Sequence, residues 1–328
     1  MFGSVPPRQL AGPVLLAIAG ALLPQLLNGY VLFVINALMV TAVLALGLDL
    51  LVGRAGQFAF SHMAFYGIGS YGTAYCLLHW GLPTPVGAVI AAGLSALVSL
   101  VIALPAARLR AIYLALATFG FAQAAFWGFQ NALPLTGGPD GQRLQSADLF
   151  GYRIIDDARA MPVLAATLAL VLLASLYLYR SRLGRALVAI RDSEHVAAVS
   201  GIDVRRTKVI AFVLSSTYAS IAGSMLTVQT SFINPETFNS GAVILVLAML
   251  VVGGSGSIAG TLVGVVTIGL LPDLLRNAPA GLLIWQEVIY GAILLLSIMF
   301  MPHGIRGAVL AGFRRSGFRR AGVRRARA

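Results

Sequence analysis

Long stretches without an ionisable side chain constrain this chain more than any other feature of its sequence. No Asp, Glu, Lys or Arg occurs in residues 9–48, 55–107, 111–139, 209–235 or 237–272. Each stretch can cross the apolar core of a bilayer at least once, which takes about 20 residues. With 59% apolar and 10% charged residues, against about 25% charged in soluble domains, the chain cannot build a water-soluble surface. The composition excludes a soluble globular enzyme and predicts an all-α, polytopic integral membrane bundle.

Proline, glycine and charge punctuation divides the chain into about ten apolar segments, each predicted to be a transmembrane helix. The eighth segment is short for a complete crossing and also fits an interrupted or re-entrant helix. The first can alternatively be interpreted as a cleaved signal peptide. We predict a transmembrane domain over residues 1–301 and a basic cytoplasmic tail over 302–328. The segments are 11–28, 31–52, 58–78, 85–105, 111–131, 162–179, 209–228, 241–253, 258–274 and 282–301.

The distribution of positive charge predicts the orientation of these helices. With ten spans and both termini cytoplasmic, nineteen of the 23 Lys and Arg residues fall on the cytoplasmic side, as the positive-inside rule requires. The four outside are Arg143, Arg153, Arg159 and Arg276. The net charge of +12 is therefore ascribed to membrane orientation, and no nucleic acid partner is predicted.

Two connections are long enough to have structure of their own. The outer connection, 132–161, contains turn dipeptides and mixed charge, and is interpreted either as a small cap or as a solvated connector. The inner connection, 180–208, predicts an amphipathic helix that ends at Gly201. An alternative role for that helix is to lie on lipid headgroups. Its apolar stripe consists of Leu183, Leu187, Ile190 and Ala197.

Motifs for catalysis are missing from the sequence. It contains no GxxxxGK[ST] phosphate loop, no HExxH, no CxxC and no GxSxG, and its four histidines are far apart. The single cysteine, Cys76, has no partner for a disulfide. We therefore predict no catalytic residue, no metal site and no cofactor bound by this chain. Any nucleotide energy would have to come from ATP bound by a partner subunit.

Small residues at intervals of four predict close helix packing. Gly256, Gly260 and Gly264 would share one helix face, and Ala219 with Gly223 repeats the spacing on another span. A direct part in the permeation path is the alternative role for these residues.

Polar side chains inside apolar segments are candidates for the translocation path. Gln57, Ser61 and His62 lie within or beside the third segment, where polar groups face the protein interior or a water-filled path. Ordinary hydrogen bonding between helices is the alternative interpretation.

The only acid among the first 139 residues, Asp49, lies near the inner end of the second segment. It could serve a proton relay, but a lone charge at the bilayer centre costs about 3 kcal/mol or more. We therefore expect it at interface depth, paired locally.

A possible internal repeat links two inner turns at an offset of 200 residues. Val52, Gly53, Gly56 and Ala59 match Val252, Gly253, Gly256 and Ala259. Both a parallel repeat and a chance match fit a chain so rich in glycine, alanine and valine.

Six segments of the chain are distinctive when taken together: GQFAFSHMAFYGIGSYG, GRALVAIRDSEHVAAVSGIDVRRTKVIAFVLSSTYASIAGSML, SFINPETF, VLAMLVVGGSGSIAGTLVGVV, LLPDLLR and MPHGIRG. In matching order, they resemble segments of the LivM-type permeases of branched-chain amino acid ABC transporters. The resemblance covers most of the chain from about residue 31, and its most specific part is 184–226.

This resemblance implies a permease subunit in the bacterial cytoplasmic (inner) membrane that imports branched-chain amino acids or a related small solute, such as another amino acid, an amide or urea. It implies a heterodimer with a sister permease, two cytoplasmic ABC ATPase subunits and a periplasmic solute-binding protein. It also implies that the connection 180–208 is the loop that couples to the ATPase. The coupling residues would be Arg185, Arg191, Asp192, Glu194 and Gly201.

Two other functions are alternatives to this one. An ion-coupled secondary transporter would need ionisable or unwound segments at mid-membrane, and apart from Asp49 the first half of the chain has no acid in its spans. A membrane-embedded enzyme would need a convergent set of titratable or metal-binding side chains, and the sequence shows no motif of that kind.

The predicted topology can be tested with single cysteines in a Cys76-free background. Cysteine at Ser146 should react with an impermeant maleimide in intact cells, because the charge distribution places it outside. Cysteines at His195 and Arg320 should react only after the membrane is permeabilised. Equal labelling at 146 and 195 in intact cells would contradict the ten-span topology.

Overall fold

The computed structural model describes residues 7–107, 111–144 and 146–276, together with residues 288, 291, 292 and 295. Its apolar segments are helical, because a chain in lipid has to form its backbone hydrogen bonds within itself. Apart from the isolated positions, the tenth predicted segment lies outside the described residues, as does the basic tail. The helices are α1 (Pro7–Leu22), α2 (Gly29–Leu48), α3 (His62–Trp80), α4 (Thr84–Ala106), α5 (Ala111–Asn131), α6 (Leu133–Thr136), α7 (Asp157–Arg180), α8 (Arg182–Asp192), α9 (Glu194–Val199), α10 (Val204–Gln229), α11 (Ser240–Gly253), α12 (Ile258–Gly269) and α13 (Leu271–Arg276).

Helices α2, α3 and α10 form the centre of the bundle. Helix α10 packs against α2, α3 and α4, while α7 packs against α1 and α2. Helices α11 and α12 pack against each other and against α2. Helices α4 and α5 are peripheral and leave large apolar side chains exposed, among them Val101 and Trp127. Such faces are suited to contact lipid or another subunit.

Contacts near the helix ends give the direction of each helix. We call the end of the bundle that carries the α7–α10 connection the basic end. Asp49, directly after α2, contacts Tyr179 of α7 there, whereas Tyr30 and Asp273 meet at the opposite end. Helices α2, α4, α7 and α11 run toward the basic end, and α1, α3, α5, α10 and α12 run away from it. This alternation agrees with the predicted order of the first nine segments.

Five described helices are long and apolar enough to cross a membrane. Helices α11 and α12 form a pair bent by 119°, which makes six if the pair counts as one span. The eighth and ninth predicted segments therefore form a bent helical pair. The helical membrane fold is confirmed, while the count of ten helices and the location of the termini stay predictions. The five are Gly29–Arg54, Thr84–Ala106, Ile112–Asn131, Asp157–Arg180 and Val204–Gln229.

The connection between α5 and α7 is structured at the end opposite the basic end. Strands β2 (Ala147–Leu149) and β3 (Tyr152–Ile154) form an antiparallel hairpin. Strand β1 (Gln142–Arg143) pairs antiparallel with β4 (Phe232–Ile233), which follows α10. Asp156 then begins α7 by accepting a hydrogen bond from the backbone N–H of Arg159.

The connection between α7 and α10 differs from the single amphipathic helix that the sequence predicts. Ser193 is extended and caps a second helix by accepting a hydrogen bond from the N–H of Val196, so the stripe is divided between α8 and α9. Gly201 has a φ of +80°, which ends α9. Helix α10 then begins at Val204, about one turn earlier than the predicted boundary.

Glycine allows α3 and α10 to touch along their backbones. A Cβ atom at Gly69 would meet the backbone of Ser220, and one at Gly223 would meet the carbonyl of Tyr66 and the N–H of Ser70. Ala219, on the same helix, has no exposed surface.

The prediction that Gly256, Gly260 and Gly264 share one helix face is wrong for Gly256. Gly256 lies in the turn before α12 with a φ of +82°, a conformation that a helix cannot contain. Ser257 caps the helix, and Gly260 and Gly264 lie within it against α11.

Replacing Gly223 with Ala should lower the melting temperature of the full-length protein in detergent. The added methyl group would force α3 and α10 apart, and overpacking of this kind costs about 1–3 kcal/mol. Gly93→Ala is the matched control, because Gly93 is exposed on α4 and a Cβ atom there meets nothing within 4 Å. Ala favours a helix by about 1 kcal/mol over Gly, so the control should melt no lower than the parent. Equal melting temperatures for the two variants would contradict the close packing of α3 on α10.

Candidate functional site

A buried carboxylate organises the basic end of the bundle. Asp49 opens a π-helical turn, Asp49–Arg54, that continues α2, and it has no exposed surface. Its Oδ1 accepts a hydrogen bond from the backbone N–H of Gly256 at 2.6 Å, and its Oδ2 accepts one from the Tyr179 hydroxyl at 2.7 Å. The carboxylate therefore joins the ends of α2 and α7 to the turn between α11 and α12.

The expected local pairing of Asp49 is wrong, because its hydrogen-bond partners are Tyr179 and Gly256. The guanidinium of Arg54 lies 3.9 Å from the centre of the Tyr179 ring, in a cation–π contact. An ion pair elsewhere on this side of the bundle joins Lys208 to Glu194. A buried carboxylate needs hydrogen-bond donors, and in this fold the donors come from segments that are distant in the sequence. The sequence analysis did not select Tyr179 as a functional residue. Its position beside Arg180, at the end of a predicted span, was the one sequence feature that could have indicated it.

Two turns face each other beside this carboxylate: one contains Gly53 and Gly56, and the other contains Gly256. We call them the two glycine turns. A Cβ atom at Gly53 would meet the Asp49 carboxylate and the N–H of Gly256, and one at Gly256 would meet the carbonyl oxygen of Gly53. Gly56 and Gly256 have φ angles of +66° and +82°. These are the two turns that match in sequence at an offset of 200 residues. Glycine is required at 256 for both its conformation and its space.

Arg191, at the end of α8, reaches into the space between these turns. Its Nη1 donates a hydrogen bond to the carbonyl oxygen of Gly53 at 2.5 Å. The stem of the side chain lies against Gly56, and a Cβ atom at Gly256 would stand 3.0 Å from the same Nη1. The α8 helix is therefore connected by one side chain to both glycine turns.

The remaining predicted coupling residues lie on the surface of the basic end. Arg185 donates a hydrogen bond to the carbonyl of Arg180 at 2.8 Å, and Asp192 is exposed. Glu194 pairs with Lys208 at 2.6 Å, which holds α9 to the start of α10. Gly201 provides the turn after α9.

Helices α8 and α9 have a buried face and an exposed face. Leu187, Ile190 and Ala197 are buried against the bundle. On the other face, the side chains of Val196 and Val199 are 65% and 90% exposed. An apolar pair of this kind on a basic surface is suited to contact another molecule.

The candidate path residues are buried in this conformation. The Nε2 of His62 lies 2.8 Å from the Leu44 carbonyl oxygen, and its Nδ1 lies 3.4 Å from the Ser215 hydroxyl. Gln57 and Ser61 are buried nearby, and the small cavity beside Ser61 and His62 has no room for a water molecule. His62 thus joins α3 to α2 and α10 here. Among the described residues, no three His, Cys, Asp or Glu side chains are grouped to hold a metal ion.

Comparison with known proteins agrees with the resemblance found in the sequence. Residues 30–298 match the family described as branched-chain amino acid transport system / permease component. The chain is 28% identical over 291 residues to the high-affinity branched-chain amino acid transport system permease protein LivM of Escherichia coli, covering 81% of this chain and 68% of that protein.

More distant similarity extends to permeases with other names. The chain is 30% identical over 164 residues to the probable branched-chain amino acid transport permease protein LivH of Methanocaldococcus jannaschii, covering 48% of this chain and 50% of that protein. It is 31% identical over 162 residues to the ribose import permease protein RbsC of Escherichia coli, covering 47% and 50%. No solved structure matches the chain.

Proposed function

This chain belongs to the family of branched-chain amino acid transport system permease components, and on that premise we propose that it is the membrane-spanning permease of an ABC importer. Its solute is a branched-chain amino acid or a related small polar solute. It forms the translocation path with a sister permease in the bacterial cytoplasmic membrane. A periplasmic binding protein delivers the solute, and two cytoplasmic ATPase subunits supply the energy.

One observation in the structure carries the ATPase part of this proposal. The exposed apolar pair Val196 and Val199 stands on α9, which buries Ala197 on its other face. A surface fixed in this way can receive force from a partner and pass it to the membrane helices. The lipid-surface alternative would place the same pair in the headgroup region instead.

Replacing Val199 with Asp should reduce copurification of the ATPase at least about tenfold, because a charge would enter the apolar centre of the contact. The matched control is Ile155→Asp, which alters a 72% exposed residue at the opposite end of the bundle and should leave ATPase recovery unchanged. Both variants should insert at the parent level. Normal ATPase recovery together with normal transport by Val199→Asp would favour the lipid-surface alternative.

The energy source separates this proposal from its main rival. Vesicles that contain this chain, the sister permease, the ATPases and the binding protein should accumulate leucine when ATP is supplied, even after a protonophore removes any pH gradient. An ion-coupled secondary transporter is the second candidate, because Asp49 provides a buried carboxylate for a coupling ion. Accumulation that follows an imposed pH or sodium gradient without ATP, and that is lost in Asp49→Asn, would establish the secondary transporter instead.

A further inference from the structure

The hairpin of α11 and α12 has the packing of a single moving unit. A Cβ atom at Gly264 would meet the carbonyl of Met249, and one at Gly253 would meet the backbones of Gly260 and Gly264. Backbones this close leave no room for the two helices to slide independently. Any force applied to the turn between them is therefore delivered to both helices.

Described hydrogen bonds connect this hairpin to the rest of the bundle near its ends. At the basic end, the N–H of Gly256 donates to Asp49. At the opposite end, Ser240 of α11 donates to Gln123, and the hydroxyl of Tyr30 donates to Asp273 of α13, which follows α12. Because the turn has one backbone bond to a buried anion, its position is set by the position of that anion and of the side chains around it.

The side chain of Arg191 links this turn to α8. Its guanidinium bonds the Gly53 carbonyl at 2.5 Å and lies beside Gly256. Helix shifts in switching proteins are about 1–2 Å, whereas a hydrogen bond is lost beyond about 3.5 Å. A shift of α8 by that amount must therefore either break the Arg191 bond or carry the two glycine turns with it.

We propose that Arg191 and Asp49 form a latch through which α8 moves the α11–α12 hairpin. This inference rests on the proposed function for its source of motion, since the ATPase is the molecule expected to shift α8. Within the latch, Arg191 holds the Gly53–Gly56 turn and Asp49 holds the Gly256 turn. Both are positioning residues, and the hairpin is the part of the permease that changes place during transport.

Hydrogen–deuterium exchange on the full-length permease alone, in detergent, tests the latch without any transport. In Arg191→Gln, the Gly53 carbonyl loses its bond to a charged donor. Because Gly53 packs directly against the Asp49 carboxylate and the N–H of Gly256, exchange of a peptide covering residues 250–258 should be about tenfold faster. Arg191→Lys keeps a charged donor and should restore part of the protection. Arg185→Gln is the matched control, since Arg185 lies on the same helix and bonds the Arg180 carbonyl. It should leave this peptide unchanged.

The result that overturns the latch is equally specific. Unchanged exchange in Arg191→Gln would show that the Gly256 turn does not depend on the bond from Arg191 to Gly53. An equal increase in Arg185→Gln would show a general loosening of α8 instead. Asp49→Asn should also accelerate exchange of the same peptide, because a neutral amide oxygen accepts the Gly256 bond less strongly. No acceleration there would remove Asp49 from the latch.

Coupling in the complete transporter provides the functional readout. Arg191→Gln should retain the ATPase and hydrolyse ATP, but transport about tenfold less leucine for each ATP. Loss of ATPase copurification would instead make Arg191 a docking residue and overturn the latch. If the parent complex does not transport with ATP, the proposed function fails, and the exchange experiment still decides whether the latch exists.

Discussion

The hydrogen bonds received by the Asp49 carboxylate determine how the basic end of this protein is built. A charged group without exposed surface is stable only when donors surround it. The chain supplies them from Tyr179 and Gly256, which are 130 and 207 residues away. The ends of α2 and α7 and the α11–α12 turn are thereby joined in this conformation, and α8 can attach to a defined surface. Gly53 is part of the same requirement, because a side chain there would occupy the space of the carboxylate.

Much of the fold could be predicted from the sequence because lipid imposes a simple rule on the backbone. A long apolar stretch must form a helix, and charge between stretches marks the ends. The apolar segment 111–131, for example, coincides with α5. The division of the inner connection at Ser193 escaped prediction, since an apolar stripe reports the buried face but not a break in the backbone. The conformation of Gly256 escaped for a related reason, because glycine spacing alone does not distinguish a helix face from a turn.

The site was less predictable than the fold because its contacts are between distant segments. Sequence spacing suggested a local partner for Asp49, whereas the partners belong to α7 and to the α11–α12 turn. Arg191 was recognised as part of the coupling connection, but its contact with Gly53 depends on how α8 lies across the bundle. Such contacts follow from tertiary packing. They cannot be read from the periodicity of one segment.

The placement of polar side chains explains why the α11–α12 hairpin is the part best suited to move. Hydrogen bonds cross the centre of the bundle between Thr73 of α3 and Ser224 of α10, and between Ser175 of α7 and Tyr218 of α10. Directional bonds between buried groups fix helices more firmly than apolar contacts do, since breaking them leaves donors and acceptors unsatisfied. The described hydrogen bonds of the hairpin to other helices instead lie near its ends. Helices α3, α7 and α10 therefore form a cross-linked core, against which the hairpin can shift while exchanging few directional contacts.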